Sequence, residues 1–336
     1  MSLIPEPQNT IANLIDVYHE SKVENKRSHL GASQLGHPCE RYLWLNFRFV
    51  MPEKFIGRIL RLFRRGQNEE ATIISDLRAI GIDVRGAQTR VNFDAFVSGS
   101  ADGVALSGVP EAPTKVHVIE IKTHSLKSFN DLVKKGVEKS KYQHFIQLQV
   151  YMMGLNIDRG LYISICKDND EMYTERVRLD KELAQKYVDR GRRIALDDRM
   201  PPPLSTDPTW FECRFCSAHS FCHKQELPKT FSCRTCAHST PQENSTWRCE
   251  RHEADDIPLT FQRKGCEQGT IHPDIVPWRY TDQEDYIVWH TQFGDIANGQ
   301  PDANVYSASE ILANPKACAT GEAEKFRSLF DGRVVG

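Results

Sequence analysis

Ser98-Gly-Ser-Ala-Asp102-Gly103 and, after a loop, Val118-Ile-Glu120-Ile-Lys122-Thr123 are the stretches whose reading decides the fold. Val118, Ile119 and Ile121 are residue types that suit a half-buried strand. Side chains alternate along a strand, so Glu120 and Lys122 point to one face. Asp102 is expected on a neighbouring strand, after glycines that let the backbone turn tightly. An isolated Glu-x-Lys reads as a surface couple. A strand context with an aspartate on the next strand reads as a cluster of two carboxylates and an ammonium.

Working outward, apolar residues at helical spacing predict helices over 8–22, from Cys39 onward, and over 56–80. The inner face of the third is expected at Ile59, Leu62, Phe63, Ile73, Ile74 and Leu77. Strands are expected at 82–85, 87–93, 96–99, 102–107 and 116–122, with Gly108–Thr114 as a loop between the last two. Helices at 126–137 and 141–156, strands at 159–166 and 171–178, and a helix from 180 to about 196 follow. This is an α/β core with helices at both ends. Pro201-Pro-Pro-Leu marks a stiff linker, beyond which the composition turns to Cys, His and Trp. Three segments follow from this: 1–228, a Cys-rich module at 229–275, and an aromatic extension at 276–336. The extension carries Trp278, Tyr280, Tyr286 and Trp289, and Ser307-Ala-Ser-Glu310 has the pattern of a capping box.

Hard oxygen ligands suit Mg²⁺ or Mn²⁺, and Asp102, Glu120 and the backbone carbonyl of Ile121 are the candidates. Such an ion lowers the pKa of a bound water and neutralises charge on a phosphate. Lys122 would orient the attacking hydroxide or stabilise the transition state. Glu69, on the long upstream helix, is the candidate to complete the shell, with Glu70 competing.

With Gln147-x3-Tyr151 added, these residues resemble the RecB-type branch of the PD-(D/E)XK nucleases. The resemblance spans roughly residues 30–225. It implies a restriction-endonuclease-like core, a central mixed sheet flanked by helices, with a small C-terminal metal-binding module. It also implies that Gln147 and Tyr151, one helical turn apart, contact substrate beside the metal. Gly66-x2-Glu69 is similar to the branch's upstream helix, where many members carry His instead of an acid.

Ten cysteines are many for a chain expected in the cytoplasm, where clustered thiols are more often metal ligands than disulfides. Cys166 and Cys318 stand alone. Cys213-x2-Cys216-x5-Cys222, with Cys39 far upstream, resembles the iron–sulfur staple of AddB-type subunits and CRISPR-associated RecB-like exonucleases. That resemblance implies a [4Fe–4S] cluster on these four thiolates. Cys233-x2-Cys236-x12-Cys249-x16-Cys266 would then form a second site, tetrahedral zinc, with His238, His252 and His272 as substitute ligands. A rival grouping, Cys213, Cys216, Cys233 and Cys236, also fits a zinc ribbon.

A net charge of -2 over 336 residues excludes a generally basic DNA binder and leaves room for a local patch. Arg58, Arg61, Arg64 and Arg65 precede Glu69, and Lys134, Lys135, Lys139 and Lys141 precede Gln147, as a phosphate-gripping groove would need. No apolar run reaches the roughly 18 residues of a membrane span, and the N-terminus does not read as a signal peptide. The expected function is a DNA exonuclease of recombination, repair or replication, phage-encoded. Its expected partners are DNA with free ends and a helicase, single-strand-binding or annealing protein, since no phosphate-binding loop occurs. A structure-specific endonuclease and a non-catalytic DNA-binding scaffold are the alternatives.

Overall fold

The computed structural model describes residues 10–22, 27–51, 55–86, 88–93 and 96–330. Six helices carry the N-terminal two thirds: α1 (Ile11–Ser21), α2 (Glu40–Phe47), α3 (Gly57–Ala79), α4 (Leu126–Ser140), α5 (Tyr142–Gly154) and α6 (Lys181–Leu196). Thr10 caps α1 by accepting from the Asn13 N–H; residues 8 and 9 of the expected helix lie outside the described residues. Gly136 breaks the last turn of α4 with φ +77°, close to the predicted end at 137.

The main sheet has five strands in the order β2 (Val84–Arg85), β5 (Gly103–Ala105), β6 (His117–His124), β7 (Arg159–Cys166) and β8 (Met172–Arg178). Only β6 and β7 run parallel, so the sheet is mixed. A second sheet orders β1 (Leu30–Gly31), β4 (Val97–Ala101) and β3 (Thr89–Phe93). The expected strands at 96–99 and 102–107 are therefore members of different sheets. Asp102 sits on the one residue where the chain passes from β4 to β5.

The glycines flanking that crossing have a different purpose from the one the sequence suggested. Neither Gly99 nor Gly103 has a positive φ. A Cβ on Gly99 would lie 2.7 Å from the Tyr151 ring and 2.9 Å from the Ala32 Cβ. Gly99 is small because α5 presses an aromatic ring onto the strand, not because the backbone turns.

On α3, Ile73 and Ile74 are buried as expected, but Leu62 and Phe63 are exposed. The helix touches the sheet through its C-terminal half, and its N-terminal half is held by α1 instead. Arg61 ion-pairs with Asp16, and Arg64 lies 3.4 Å from the His19 ring nitrogen.

Beyond the proline linker come short helices α7 (Phe211–Arg214) and α8 (His219–Lys224), a hairpin of β9 (Ser239–Pro241) and β10 (Trp247–Cys249), and α9 (Leu259–Lys264). The aromatic extension, read from sequence without strands, is a four-stranded sheet: β11 (Arg279–Asp282), β12 (Tyr286–Thr291), β13 (Gly294–Gly299) and β14 (Val305–Tyr306). Trp289 is wholly buried in it. The capping box forms as read: the Glu310 N–H donates to Ser307 Oγ, and Ser307 N–H to the Glu310 carboxylate.

One apolar cluster joins all of these parts, from Trp44 and Phe47 through Ile194 and Trp247 to Trp289 and Ile311. Two buried guanidinium groups hold it together. Arg48 pairs with Asp198 at 2.8 Å and lies 5.4 Å from the Trp247 ring. Arg234 lies 4.9 Å from the same ring and donates to the carbonyls of Phe47 (2.8 Å) and Ser28 (3.0 Å) and to Gln262. Among the described residues no helix is long and apolar enough to cross a membrane.

Replacing Arg234 by Ala strands the buried Phe47 carbonyl and the partly buried Ser28 carbonyl and opens space against three aromatic rings. The expected loss is about 2–4 kcal/mol of unfolding free energy, measured by urea titration. A loss below about 0.5 kcal/mol, the range of ordinary surface changes, would contradict this role.

Candidate active site

β6 positions the site because it is the central strand, and most of its side chains are buried. Glu120 is fully buried, and neither of its carboxylate oxygens makes a well-formed hydrogen bond. What meets its charge is the Lys122 ammonium, which lies against Oε1 and also donates to the Ile121 carbonyl at 3.1 Å. Burial raises the Glu120 carboxyl to about 8, with Lys122 opposing the rise and Asp102 adding to it. Burial by itself would lower the Lys122 pKa, but Glu120, Asp102 and Glu70 together raise it.

Asp102 reaches across from the crossing between the two sheets. Its Oδ2 accepts the Ile121 N–H at 2.8 Å, and Gln88 also bonds to it. Burial raises its pKa despite Lys122. The acid that α3 contributes is Glu70: burial and the charge of Asp102 both push its carboxyl upward, and Lys122 pulls it down. Glu70, the competing candidate, is thus the α3 acid that interacts with Asp102 and Lys122. Glu69 points about 100° away around the helix, and the structure does not bring it into this group.

Three carboxyl groups, Glu120 and Asp102 buried and Glu70 half-buried, gather around one ammonium, so the site holds more acid than base. The Glu120 carboxylate and the Ile121 carbonyl now hold the Lys122 ammonium, which stands in for a cation among hard oxygen donors. The donor set therefore fits a divalent ion such as Mg²⁺ or Mn²⁺. Among the described residues, however, no three His, Cys, Asp or Glu side chains are arranged ready-made around a metal.

Lys122 of this cluster lines a cleft of about 710 Å³, together with Gln147, Tyr151, Arg27, His29, Arg90 and His144. Gln147 Nε2 lies 3.4 Å from the Tyr151 hydroxyl, and its Oε1 is buried without a partner. Sequence reading found Gln147 and Tyr151 but missed the other four. His144 had a signal, since it precedes Gln147 by three residues and shares its helix face. Arg27 and Arg90 come from a loop and an edge strand, where no period marks them.

Four of the basic residues expected to grip DNA make contacts within the chain. Arg61 and Arg64 bind α1, Arg65 donates to the Lys167 carbonyl at 2.9 Å, and Lys135 pairs with Asp131 at 2.6 Å. The cleft's own cations are Lys122, Arg27 and Arg90.

All ten cysteines are free. Cys39, Cys213, Cys216 and Cys222 line one small cavity between α2, α7 and α8. Burial raises the Cys216 thiol to about 11, and the other three thiols add to the rise. Cys233, Cys236, Cys249 and Cys266 form a second group, in which Cys233 feels Cys266 and Cys249, and Cys236 feels Cys266 and Cys233. Backbone N–H groups point at Cys236 and Cys266, as they would at thiolates. His252 lies 3.6 Å from the Cys266 sulfur, while His238 is bonded to Thr270 and His272 faces Asp198. Eight of the cysteines thus lie in two neighbourhoods of four, Cys39, Cys213, Cys216 and Cys222 in one and Cys233, Cys236, Cys249 and Cys266 in the other.

No family model matches the chain, and no curated protein matches it. Among solved structures it is similar to SSO0001, at 17% identity and a TM-score of 0.40, over 63% of this chain and 95% of that one. It is also similar to an alkaline exonuclease from Laribacter hongkongensis, at 16% and 0.38, over 50% and 87% of the two chains. A phage-related exonuclease from Haemophilus somnus 129PT matches at 17% and 0.29, over 38% and 67%. At TM-scores this low the likeness is partial, and the chemistry of the site rests on its own residues.

Adding Mn²⁺ to metal-free protein is expected to raise the unfolding temperature by a few degrees, since a ligand at a hundred times its Kd adds about 2.7 kcal/mol. Glu120→Gln should abolish that rise. An equal rise in wild type and variant would place the ion elsewhere.

Proposed function

We propose that the chain is a metal-dependent deoxyribonuclease of the RecB-like PD-(D/E)XK type, acting as an exonuclease. The observation that carries this reading is the fully buried Glu120 carboxylate, met by the Lys122 ammonium and grouped with Asp102 and Glu70, behind a cation-lined cleft that Lys122 reaches. A purely structural ion pair would have no reason to turn its ammonium toward a cleft, and a dead site no reason to keep so costly a buried acid.

Asp102, Glu120, Glu70 and the Ile121 carbonyl would hold Mg²⁺ or Mn²⁺. When bound, the ion supplies an acidified water and neutralises phosphate charge. Lys122 orients the attacking water and meets the negative charge that builds on the phosphoryl oxygens. Gln147, whose Oε1 has no partner, and Tyr151 position the nucleotide at the cleft wall. Arg27 and Arg90 take neighbouring phosphates, which are the natural partners of cations in a polar groove.

In this reading Cys39, Cys213, Cys216 and Cys222 hold a [4Fe–4S] cluster that fastens α2 to the end of the nuclease segment. Cys233, Cys236, Cys249 and Cys266 hold zinc. What supports both assignments is that the four thiols at each place lie near enough to influence one another, and the long loop from 39 to 213 makes the first structural in purpose. The segments 1–228, 229–275 and 276–336 serve as nuclease, zinc module and supporting extension.

End-labelled single- and double-stranded DNA should lose its label with Mg²⁺ or Mn²⁺, from one end only. Lys122→Ala should cut at least roughly 100-fold more slowly, the usual scale for one electrostatic group. Binding without cleavage by wild type would favour a scaffold, and internal cuts an endonuclease. Cys39→Ala should lose iron and stability together; a variant that keeps its full iron would overturn the cluster assignment.

A further inference from the structure

Behind the cleft wall lies a line of polar groups that the proposed chemistry does not yet use. Tyr162, wholly buried on β7, is the Cα partner of Glu120 across the parallel ladder. Its hydroxyl meets two imidazoles: His144 Nδ1 of α5 at 2.9 Å and His124 Nε2, at the end of β6, at 3.1 Å. The two imidazole rings stack 5.5 Å apart. The far nitrogen of His124, Nδ1, lies 3.3 Å from Ser128 Oγ in the first turn of α4, where the side chain is partly exposed. His144 lines the cleft beside Lys122 and Gln147. Its Nδ1 is taken by Tyr162, so Nε2 is the nitrogen left to face substrate.

Each group in this line has both a donor and an acceptor, and one hydroxyl hydrogen must serve Tyr162's two neighbours. The array can therefore be satisfied only if it runs in a single direction. If Ser128 donates to His124 Nδ1, then His124 Nε2–H donates to Tyr162, Tyr162 donates to His144 Nδ1, and His144 presents Nε2–H to the cleft. Burial keeps both rings uncharged: it lowers His144 to about 3 and His124 to about 4, and Lys122, Lys141 and Lys167 around them push the same way. An ordinary protonated histidine is therefore not available as an acid here. A neutral chain avoids that cost, because a proton can leave one end as another enters at the opposite end.

We infer that Ser128, His124, Tyr162 and His144 form a proton relay that protonates the departing oxygen of the cleaved phosphodiester. The inference rests on the nuclease reading of the same cleft. As the attacking water forms its P–O bond and the P–O bond to the leaving group breaks, the departing alkoxide takes the proton from His144 Nε2. His144 Nδ1 takes the Tyr162 hydroxyl proton, Tyr162 takes the proton from His124 Nε2, and His124 Nδ1 takes that of Ser128. Ser128 regains one from solvent and the attacking water's surplus proton goes to solvent; once product leaves, a proton entering at His144 Nε2 and leaving at Ser128 resets the array, so nothing is gained or lost overall. His144 is the catalytic member; Tyr162, His124 and Ser128 act through it.

The test compares two substrates, a dinucleotide and the p-nitrophenyl ester of thymidine monophosphate, whose leaving group departs without a proton. His144→Ala should slow the dinucleotide at least roughly 100-fold in kcat, within the usual range for a general acid, and leave KM near wild type. The same variant should cleave the nitrophenyl ester within about threefold of wild type. Tyr162→Phe, which keeps the ring and removes only the link, should show the same split, at roughly tenfold for the dinucleotide. Equal losses on both substrates, or no loss on either, would overturn the relay while leaving the nuclease intact. Wild-type protein that cleaves neither substrate would instead remove the nuclease reading on which the relay stands.

Discussion

The buried, unsolvated carboxylate of Glu120 is the constraint on which the rest of the site depends. An ionised carboxylate away from water costs several kcal/mol unless something cationic meets it. Every neighbouring feature bears on that cost. The alternation of the strand puts the Lys122 ammonium on the same face. The crossing between two sheets delivers Asp102 to the Ile121 N–H, and α3 delivers Glu70. The outcome still holds more carboxylate than ammonium. Such a site is poised for a further positive charge, whereas a purely structural pair would have been closed and neutral.

The same economy explains the small residues around it. Gly99 lets the Tyr151 ring lie on β4, and this fixes α5 so that His144, Gln147 and Tyr151 present one face to the cleft. Packing at one glycine therefore sets the position of three polar side chains. The C-terminal parts support this arrangement from behind. Trp247 lies between two buried guanidinium groups, and Arg234 bonds to the carbonyls of Phe47 and Ser28, so the Cys-rich segment and α2 share one core.

Much of this was legible in the sequence, and the exceptions have physical reasons. Glu120 and Lys122 follow from the period of the strand, and Gln147 and Tyr151 from the resemblance, whose spacing puts them one turn apart on a helix face. The choice between Glu69 and Glu70 depends on how α3 is rotated on the sheet, and adjacent helical residues differ by about 100°. The arginines of α3 looked like a groove for phosphates; Arg61 and Arg64 instead engage Asp16 and His19 of α1, partners that only the packing of two helices reveals. The four-stranded sheet at 279–306 was hidden because β11 is exposed along its whole length and lacks an apolar alternation. Arg27 and Arg90 reach the cleft from segments distant in the chain, which no local pattern could have joined to Lys122.

The central claim is that this acid cluster binds a divalent cation through Glu70 rather than Glu69. Titration of Mn²⁺, followed by the paramagnetic resonance signal of the free ion, tests it directly on wild type, Glu69→Gln and Glu70→Gln. The account predicts that wild type and Glu69→Gln remove the free-ion signal alike and that Glu70→Gln binds at least roughly tenfold more weakly, a difference of about 1.4 kcal/mol. Weakened binding in Glu69→Gln alone, or a free-ion signal that wild type leaves unchanged, would contradict it.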